Sequence, residues 1–356
     1  MASIRVGTIG LGSIGQGVHL PGIDHSPDLK LSAICDIDKE KLKMVGERYG
    51  IGADRRFADY RELIACADVE AVDIATPNNC HFQMAMDAAQ ARKPFLLEKP
   101  VTMNAGEAER LARRARESGV KNMVCFSYRY VKAARKAREI VAQGLLGELY
   151  HANVVYAQSW GLKHAGTPLV WRFDKDVAGL GALGDLGCHM LDMVRFVTQR
   201  EYVRLMGDAF TYIDERPLPG GDGMGKVGVD DCCNYLARMQ GGLSANFHIT
   251  RFAYGRGDFQ RLELFGSQGS LIYMLNPGPN IAPLSVCIGQ PMGNMGVFSP
   301  LPVAGLYEGD EQMQSFADLI NDCSDGLCAT MEDGLLNQKA VDAVKDSIAS
   351  GRWMEV

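Results

Sequence analysis

The apolar run Ile4 to Ile9 leads directly into Gly10-Leu11-Gly12-Ser13-Ile14-Gly15. A strand, then G-x-G-x-x-G, then a helical pattern (about Ile14 to Ile23) fits a strand–turn–helix that cradles a dinucleotide pyrophosphate. Gly10 allows the tight turn, Gly12 lets phosphate approach the backbone, and Gly15 lets helix and strand pack. Ser13 and Ile14 open the helix, whose N-terminus supplies free N–H groups and a positive dipole end. Asp36 ends the next apolar run, about 20 residues on, where a carboxylate accepts from the ribose hydroxyls of NAD and repels the 2′-phosphate of NADP. Ile37 offers no guanidinium to that phosphate, although Lys39 and Lys41 are close in sequence. NAD is the expected cofactor, with NADP second. A purely structural glycine turn is the competing reading.

From Ile4 to Cys125 short apolar runs alternate with amphipathic stretches: Leu31–Cys35, Ala71–Ala75, Phe95–Leu97 and Asn122–Cys125 between Lys39–Tyr49, His81–Ala91 and Ala105–Ser118. Near-continuous apolar strands alternating with helices predict a parallel sheet covered on both faces. Residues 1–125 are therefore expected to form an α/β Rossmann domain. Two segments fall where strands meet loops, the place where such sheets bind ligands. One is Thr76-Pro77-Asn78 with His81, the other Glu98-Lys99-Pro100. Lys99 by itself also reads as a solvent-facing lysine in a turn.

Residues 126–356 read differently. A helix to about Gln143 is followed by a strand from Glu148 to Gln158 and a glycine-rich stretch, Gly179–Gly184. Further strands near Phe210 and at Asp231–Met239, Leu243–Thr250, Arg261–Phe265 and Ser270–Met274 are separated by glycine turns, which favours antiparallel hairpins. Pro277–Pro302 is expected to be a long loop or irregular edge, and Glu311–Ser324 and Glu332–Ser350 helices.

Asp185, His189 and Asp192 are spaced to share one helix face. Oxidising an alcohol requires a proton acceptor that titrates near neutrality, and histidine suits this. Asp185 could fix the tautomer of His189 and stabilise its charged form. A lysine ammonium, which Lys99 could supply, would stabilise the developing alkoxide. The alternative is structural: Asp185 follows Gly184 and could be a helix N-cap, with His189 a packing residue. Trp171-Arg172 is a weaker substrate candidate, because a buried tryptophan is commoner than a sugar platform. His164 could reach a pocket or face solvent.

The net charge of −6 gives no basic field for nucleic acid. No apolar run approaches the roughly 20 residues of a membrane span, and no signal peptide is recognised. The ten cysteines show no C-x-x-C and no ligand spacing for a metal, so free thiols in a cytoplasmic protein are expected.

Taken together, these residues resemble the glucose–fructose oxidoreductase / inositol dehydrogenase / MocA family. The motifs that carry the resemblance are the glycine-rich turn, Thr76-Pro77-Asn78 with His81, Glu98-Lys99-Pro100 and Ser127-Tyr128-Arg129-Tyr130. Gly184-Asp185-Leu186-Gly187-Cys188-His189 and Glu332-Asp333-Gly334-Leu335 complete the set. The resemblance implies a Rossmann domain plus an α+β domain with a large, mostly antiparallel open sheet, and a C-terminal helix that could pack back on the first domain. It implies a substrate bound between that sheet and the nicotinamide. It places the catalytic lysine, aspartate and histidine at Lys99, Asp185 and His189. Arg129 and Tyr130 match a region lining the substrate side, and Asp192 matches a substrate-hydroxyl position. It further implies a dehydrogenase acting on a sugar or cyclitol, as a dimer or tetramer assembled through the sheet face. Two rival readings are an NAD-dependent glycoside-cleaving member of the family and a non-catalytic NAD-binding regulator.

Overall fold

A computed structural model describes residues 3–289, 296–303 and 310–356, so part of the Pro277–Pro302 segment lies outside the described residues. The chain divides into two compact units. The first takes the chain up to Tyr130 and a C-terminal stretch that ends at Gln338. The second runs on from Val131 and includes Lys339–Val356.

The first unit is built on six parallel strands: β1 (Ile4–Ile9), β2 (Leu29–Cys35), β3 (Arg56–Phe57), β4 (Ala71–Ile74), β5 (Phe95–Leu97) and β6 (Asn122–Val124). Their order is β3-β2-β1-β4-β5-β6, the doubly wound arrangement whose ligands bind at the carboxyl ends of the strands. β4 and β5 are buried throughout, as a sheet covered on both faces requires. Side-chain caps set the helix starts. Asp38 accepts from the N–H groups of Glu40 and Lys41 at the start of helix Lys39–Arg48. Asn104 accepts from that of Glu107 at the start of Ala105–Ser118, which ends at Gly119 with φ +64°. Met313, Phe316 and Ala317 of helix Asp310–Ile320 share one core cluster with Val6, Ile23 and Leu96. Gln314 fastens this helix by hydrogen bonds to Ser26 and Asp28.

The second unit carries β7 (Leu149–Ala157), β8 (Tyr202–Phe210), a hairpin of β9 (Glu215–Pro217) and β10 (Met224–Lys226), and β11 (Cys232–Met239). β12 (Ser244–Thr250), β13 (Phe259–Gly266), β14 (Gly269–Leu275), β15 (Leu284–Ile288), β16 (Ser299–Pro300) and β17 (Met354–Glu355) follow. Nine of them form one sheet, β16-β15-β14-β13-β7-β12-β11-β8-β17. Every pair is antiparallel except β7 with β12. Within the segment expected as a loop or irregular edge, β15 and β16 extend this sheet. Alternating burial along β11 and β12 shows one face packed and one open. Helices Lys132–Ala142 and Cys188–Thr198 pack together, the first also against β14 and the second against β7.

One helical stretch, Lys175–Thr198, is apolar and long enough to cross a membrane by composition, contrary to the expectation that no run came close. It is mostly buried within the second unit, where an all-round apolar helix is a core helix. No disulfide links the ten cysteines, and six of them are buried.

Candidate functional site

In the first unit, the glycine-rich turn has the geometry its spacing predicts. Gly10 has φ +98°, and a Cβ there would lie 2.4 Å from the carbonyl oxygen of Ala75. A Cβ on Gly15 would lie 2.4 Å from the Gly10 carbonyl oxygen, so helix and strand touch there. A Cβ on Gly12 would meet no atom within 4 Å. Gly12, Ser13 and Ile14 are exposed, so a phosphate group fits this open cradle. The helix that follows opens with a π turn, Gly15–His19, in which the Leu20 N–H reaches the Gly15 carbonyl. It continues as Leu20–His25.

Asp36 has a second task that its position alone did not reveal. One carboxylate oxygen accepts the Leu11 N–H at 2.8 Å and the other the Asp38 N–H at 2.9 Å. Each oxygen keeps a further lone pair for a ribose hydroxyl. Ile37 beside it is 92% exposed, and Lys41 pairs with Asp38 at 3.5 Å.

Thr76, Pro77 and Asn78 run from the end of β4 into helix Asn78–Gln90. His81 is fully buried, with Nδ1 2.8 Å from the Pro100 carbonyl and Nε2 2.9 Å from the Thr76 carbonyl. It therefore ties the two loops together from within. Burial holds its pKa below the ordinary histidine value. Glu98, at the end of β5, faces inward. Its Oε2 accepts the Lys99 N–H at 3.1 Å, and its Oε1 meets His19 Nε2 at 3.0 Å. The Lys99–Pro100 peptide is cis. From 95 to 102 only Lys99 is not buried. Arg129 turns to Asp333 at 3.0 Å and the Leu327 carbonyl at 3.5 Å, while the Tyr130 hydroxyl points at Met123 Sδ in the core.

In the second unit, the helix carrying Asp185 and His189 also opens with a π turn, Leu183–Gly187, before Cys188–Thr198. π turns recur at functional sites. The N-cap alternative for Asp185 is removed by Asp230, whose carboxylate accepts the N–H groups of Gly181 and Leu183, both at 2.8 Å. The Asp185 N–H is already bonded to the Gly181 carbonyl. Across 181–198 Asp185 is the one residue that is not buried.

The Asp185 carboxylate faces two guanidinium groups. Arg251 Nη2 lies 3.2 Å from Oδ2 and Arg172 Nε 3.8 Å from Oδ1. Arg172 stacks over Trp171 at 4.5 Å from the ring centroid. Arg251 is 1% exposed and lies over Trp160 and Phe173. His189 is buried, with the Tyr156 ring 6.4 Å away, centroid to centroid. Tyr156 donates to Asp258 at 2.6 Å. Asp192 is 2% exposed and lies 3.9 Å from Arg195, which also grips Glu201 with two bonds. His164 is exposed against Tyr254.

Residues 4–126 match the model described as oxidoreductase family, NAD-binding Rossmann fold, and residues 134–272 match the GFO/IDH/MocA C-terminal domain. The chain belongs to the Gfo/Idh/MocA family. Levoglucosan dehydrogenase of Pseudarthrobacter phenanthrenivorans is 27% identical over 100% of this chain and 99% of its own length. Its solved complex with NADH and L-sorbose has a TM-score of 0.89 and covers 100% and 99% of the two chains. An oxidoreductase domain protein from Kribbella flavida is 30% identical with a TM-score of 0.90, each chain covered in full. Myo-inositol 2-dehydrogenase of Thermotoga maritima is 27% identical over 82% of this chain and 80% of its own.

Three residues of this Gfo/Idh/MocA chain were not found by sequence reasoning: Asp230, Arg251 and His19. Asp230 and Arg251 act across long sequence separations, so no local spacing marks them. His19 follows the glycine-rich turn by one helical turn, a position from which a side chain can return toward the strand ends; that was the available signal.

Proposed function

We propose that this chain is an NAD-dependent dehydrogenase that oxidises a secondary alcohol or hemiacetal carbon of a sugar or cyclitol. The observation that carries the reading is the partly exposed Asp185 one turn before the buried His189, on a helix start that Asp230 caps. The family membership and the relatives, a levoglucosan dehydrogenase and an inositol dehydrogenase, support the substrate class.

The open glycine turn and the helix after it would hold the pyrophosphate, and Asp36 the adenosine ribose. NAD, when bound, would supply the acceptor for the hydride of the carbinol carbon. His189 accepts the hydroxyl proton on a ring nitrogen. Asp185, which faces Arg251 and Arg172, stabilises the imidazolium that results. The Lys99 ammonium stabilises the alkoxide oxygen as its charge develops. Thr76, Pro77 and Asn78 border the cofactor, and Trp171, Arg172 and Asp192 contribute to substrate recognition.

The test is a panel of sugars, anhydrosugars and inositols with NAD and NADP, followed by absorbance of the reduced nicotinamide. Net NADH release with one of them supports a dehydrogenase. Glycoside cleavage with no net NADH favours the hydrolytic reading, and no turnover at all favours a regulator.

We further propose a cytoplasmic homo-oligomer, a dimer or tetramer. Met206, Leu236, Asn246, Asn153, Glu263 and Ile272 lie side by side across β8, β11, β12, β7, β13 and β14, and none is buried. With Tyr150, Val203 and Phe210 also exposed, a second copy of the chain would cover this face. Sedimentation showing a monomer at micromolar concentration would remove this part.

A further inference from the structure

The end of the first unit's sheet holds a buried group of titratable side chains that the mechanism above does not use. His19 is fully buried on the π turn. Its Nδ1 lies 2.7 Å from Asp73 Oδ1 and its Nε2 3.0 Å from Glu98 Oε1. Asp73 sits within β4 and takes a further bond from Thr8 of β1 at 3.1 Å. Cys125, just past β6, faces the same ring. His19 thus touches groups from three neighbouring strands.

The geometry dictates the proton count. A neutral imidazole has one N–H and one bare lone pair. A lone pair set 2.7 or 3.0 Å from a carboxylate oxygen would be repulsive on a ring that has no water-exposed surface. With both carboxyl groups ionised, both nitrogens must donate for both contacts to be favourable. The ring is then a cation between two anions, a pair of charge-assisted hydrogen bonds.

Glu98 passes this arrangement on. Its Oε1 is held by His19, and its Oε2 accepts the backbone N–H of Lys99. On the other side, the Pro100 carbonyl is held by His81. The backbone on either side of Lys99 is therefore clamped by a buried histidine, and from 95 to 102 Lys99 is the one residue that is not buried.

We propose that His19, bearing both ring protons, is a positioning residue for Lys99, acting through Glu98. The inference rests on the catalytic role given to Lys99 above. Burial works against a charged ring, but the attraction and hydrogen bond of Asp73, with Cys125, outweigh it and raise the His19 pKa well above the usual value. The ligand atoms of His19, Glu98 and Cys125 lie within 4.8 Å of one another, as metal ligands would. A histidinium has no lone pair for a metal, so the two readings exclude each other.

The first measurement is independent of turnover: nitrogen-15 spectra of histidine-labelled holoenzyme at about pH 8, where an ordinary histidine is neutral. His19, assigned by its loss in His19→Gln, is expected to show two protonated ring nitrogens. A single N–H, or stoichiometric zinc in the purified protein, overturns the proposal. The second measurement is kinetic. His19→Gln brings no positive charge between the two carboxylates, so kcat should fall about 10-fold or more, and by a larger factor than NAD affinity, because a small misplacement of a charge costs rate. Glu98→Gln, which keeps the shape but not the charge, should show the same split. Unchanged kcat in both variants overturns the positioning role. If no sugar or cyclitol is turned over by wild type, the catalytic reading fails while the spectra still decide the state of His19.

Discussion

Arg251 presents a single guanidinium nitrogen to Asp185, at 3.2 Å, from a position almost sealed from solvent. Its Nε and Nη1 find no hydrogen-bond partner among the described residues; Trp160 and Phe173 lie against it. A buried cation of this kind is sustained by the anion it faces. Asp185 is thus oriented from β12's end as well as by its own helix.

Arg251→Met keeps much of the side chain's length and removes its charge. Turnover should fall by about 10-fold or more, because Asp185 loses the partner that holds it. NAD affinity should be unchanged, since the glycine turn belongs to the other unit. Steady-state kinetics beside NAD titration by fluorescence would check this. Wild-type kcat in a folded Arg251→Met protein would mean that the ion pair is only structural.

The proton-transfer step is tested most directly at His189. His189→Ala should lose a factor of roughly 10² to 10⁴ in kcat while still binding NAD. Lys99→Met should also cut kcat severely. Asp185→Asn keeps shape and removes charge, and should lower kcat more than KM changes. Near-normal turnover in His189→Ala at saturating substrate would exclude it as the base.

Cofactor preference gives a third test. Asp36 is a poor single target, because its carboxylate also holds the Leu11 and Asp38 N–H groups. Ile37 is 92% exposed, and an arginine there has open space beside the ribose side. Ile37→Arg alone should improve kcat/KM for NADP with little change for NAD, and Asp36→Ser with Ile37→Arg should reverse the preference. Wild type working faster at low NADP than at low NAD would refute the NAD assignment.

The parts legible in the sequence were those set by local spacing. Ile4–Ile9 with its three glycines, the buried runs of β4 and β5, and the Asp185/His189 interval are short-range patterns with one dominant structural solution. The parts not legible depend on contacts far apart in sequence. Asp230 caps a helix that starts 48 residues earlier than the cap, counting from Ala182, and that contact displaces Asp185 from the capping role. Lys175–Thr198 passes for a membrane span by length and composition, yet it is mostly buried inside the second unit, because apolarity along a helix does not say what will cover it.

The two buried histidines that flank Lys99 should pull stability in opposite directions with pH. Unfolded, each titrates near 6.5. His19 is raised when folded, so its stabilisation is complete below 6.5 and is lost as pH climbs toward its folded pKa. His81 is lowered, because burial outweighs the two carbonyls, of which a neutral ring can serve only one. Its contribution is complete above 6.5 and is lost as pH falls toward its folded pKa. Each limb should approach about 1.4 kcal/mol per pH unit for one proton. Stability of the first unit should therefore peak close to 6.5. Denaturant unfolding from about pH 5 to pH 9, followed by a probe in that unit, would trace both limbs. His19→Gln should flatten the alkaline limb and leave the acid one, and His81→Asn should do the reverse. An alkaline limb that survives His19→Gln would show that the ring does not carry the second proton.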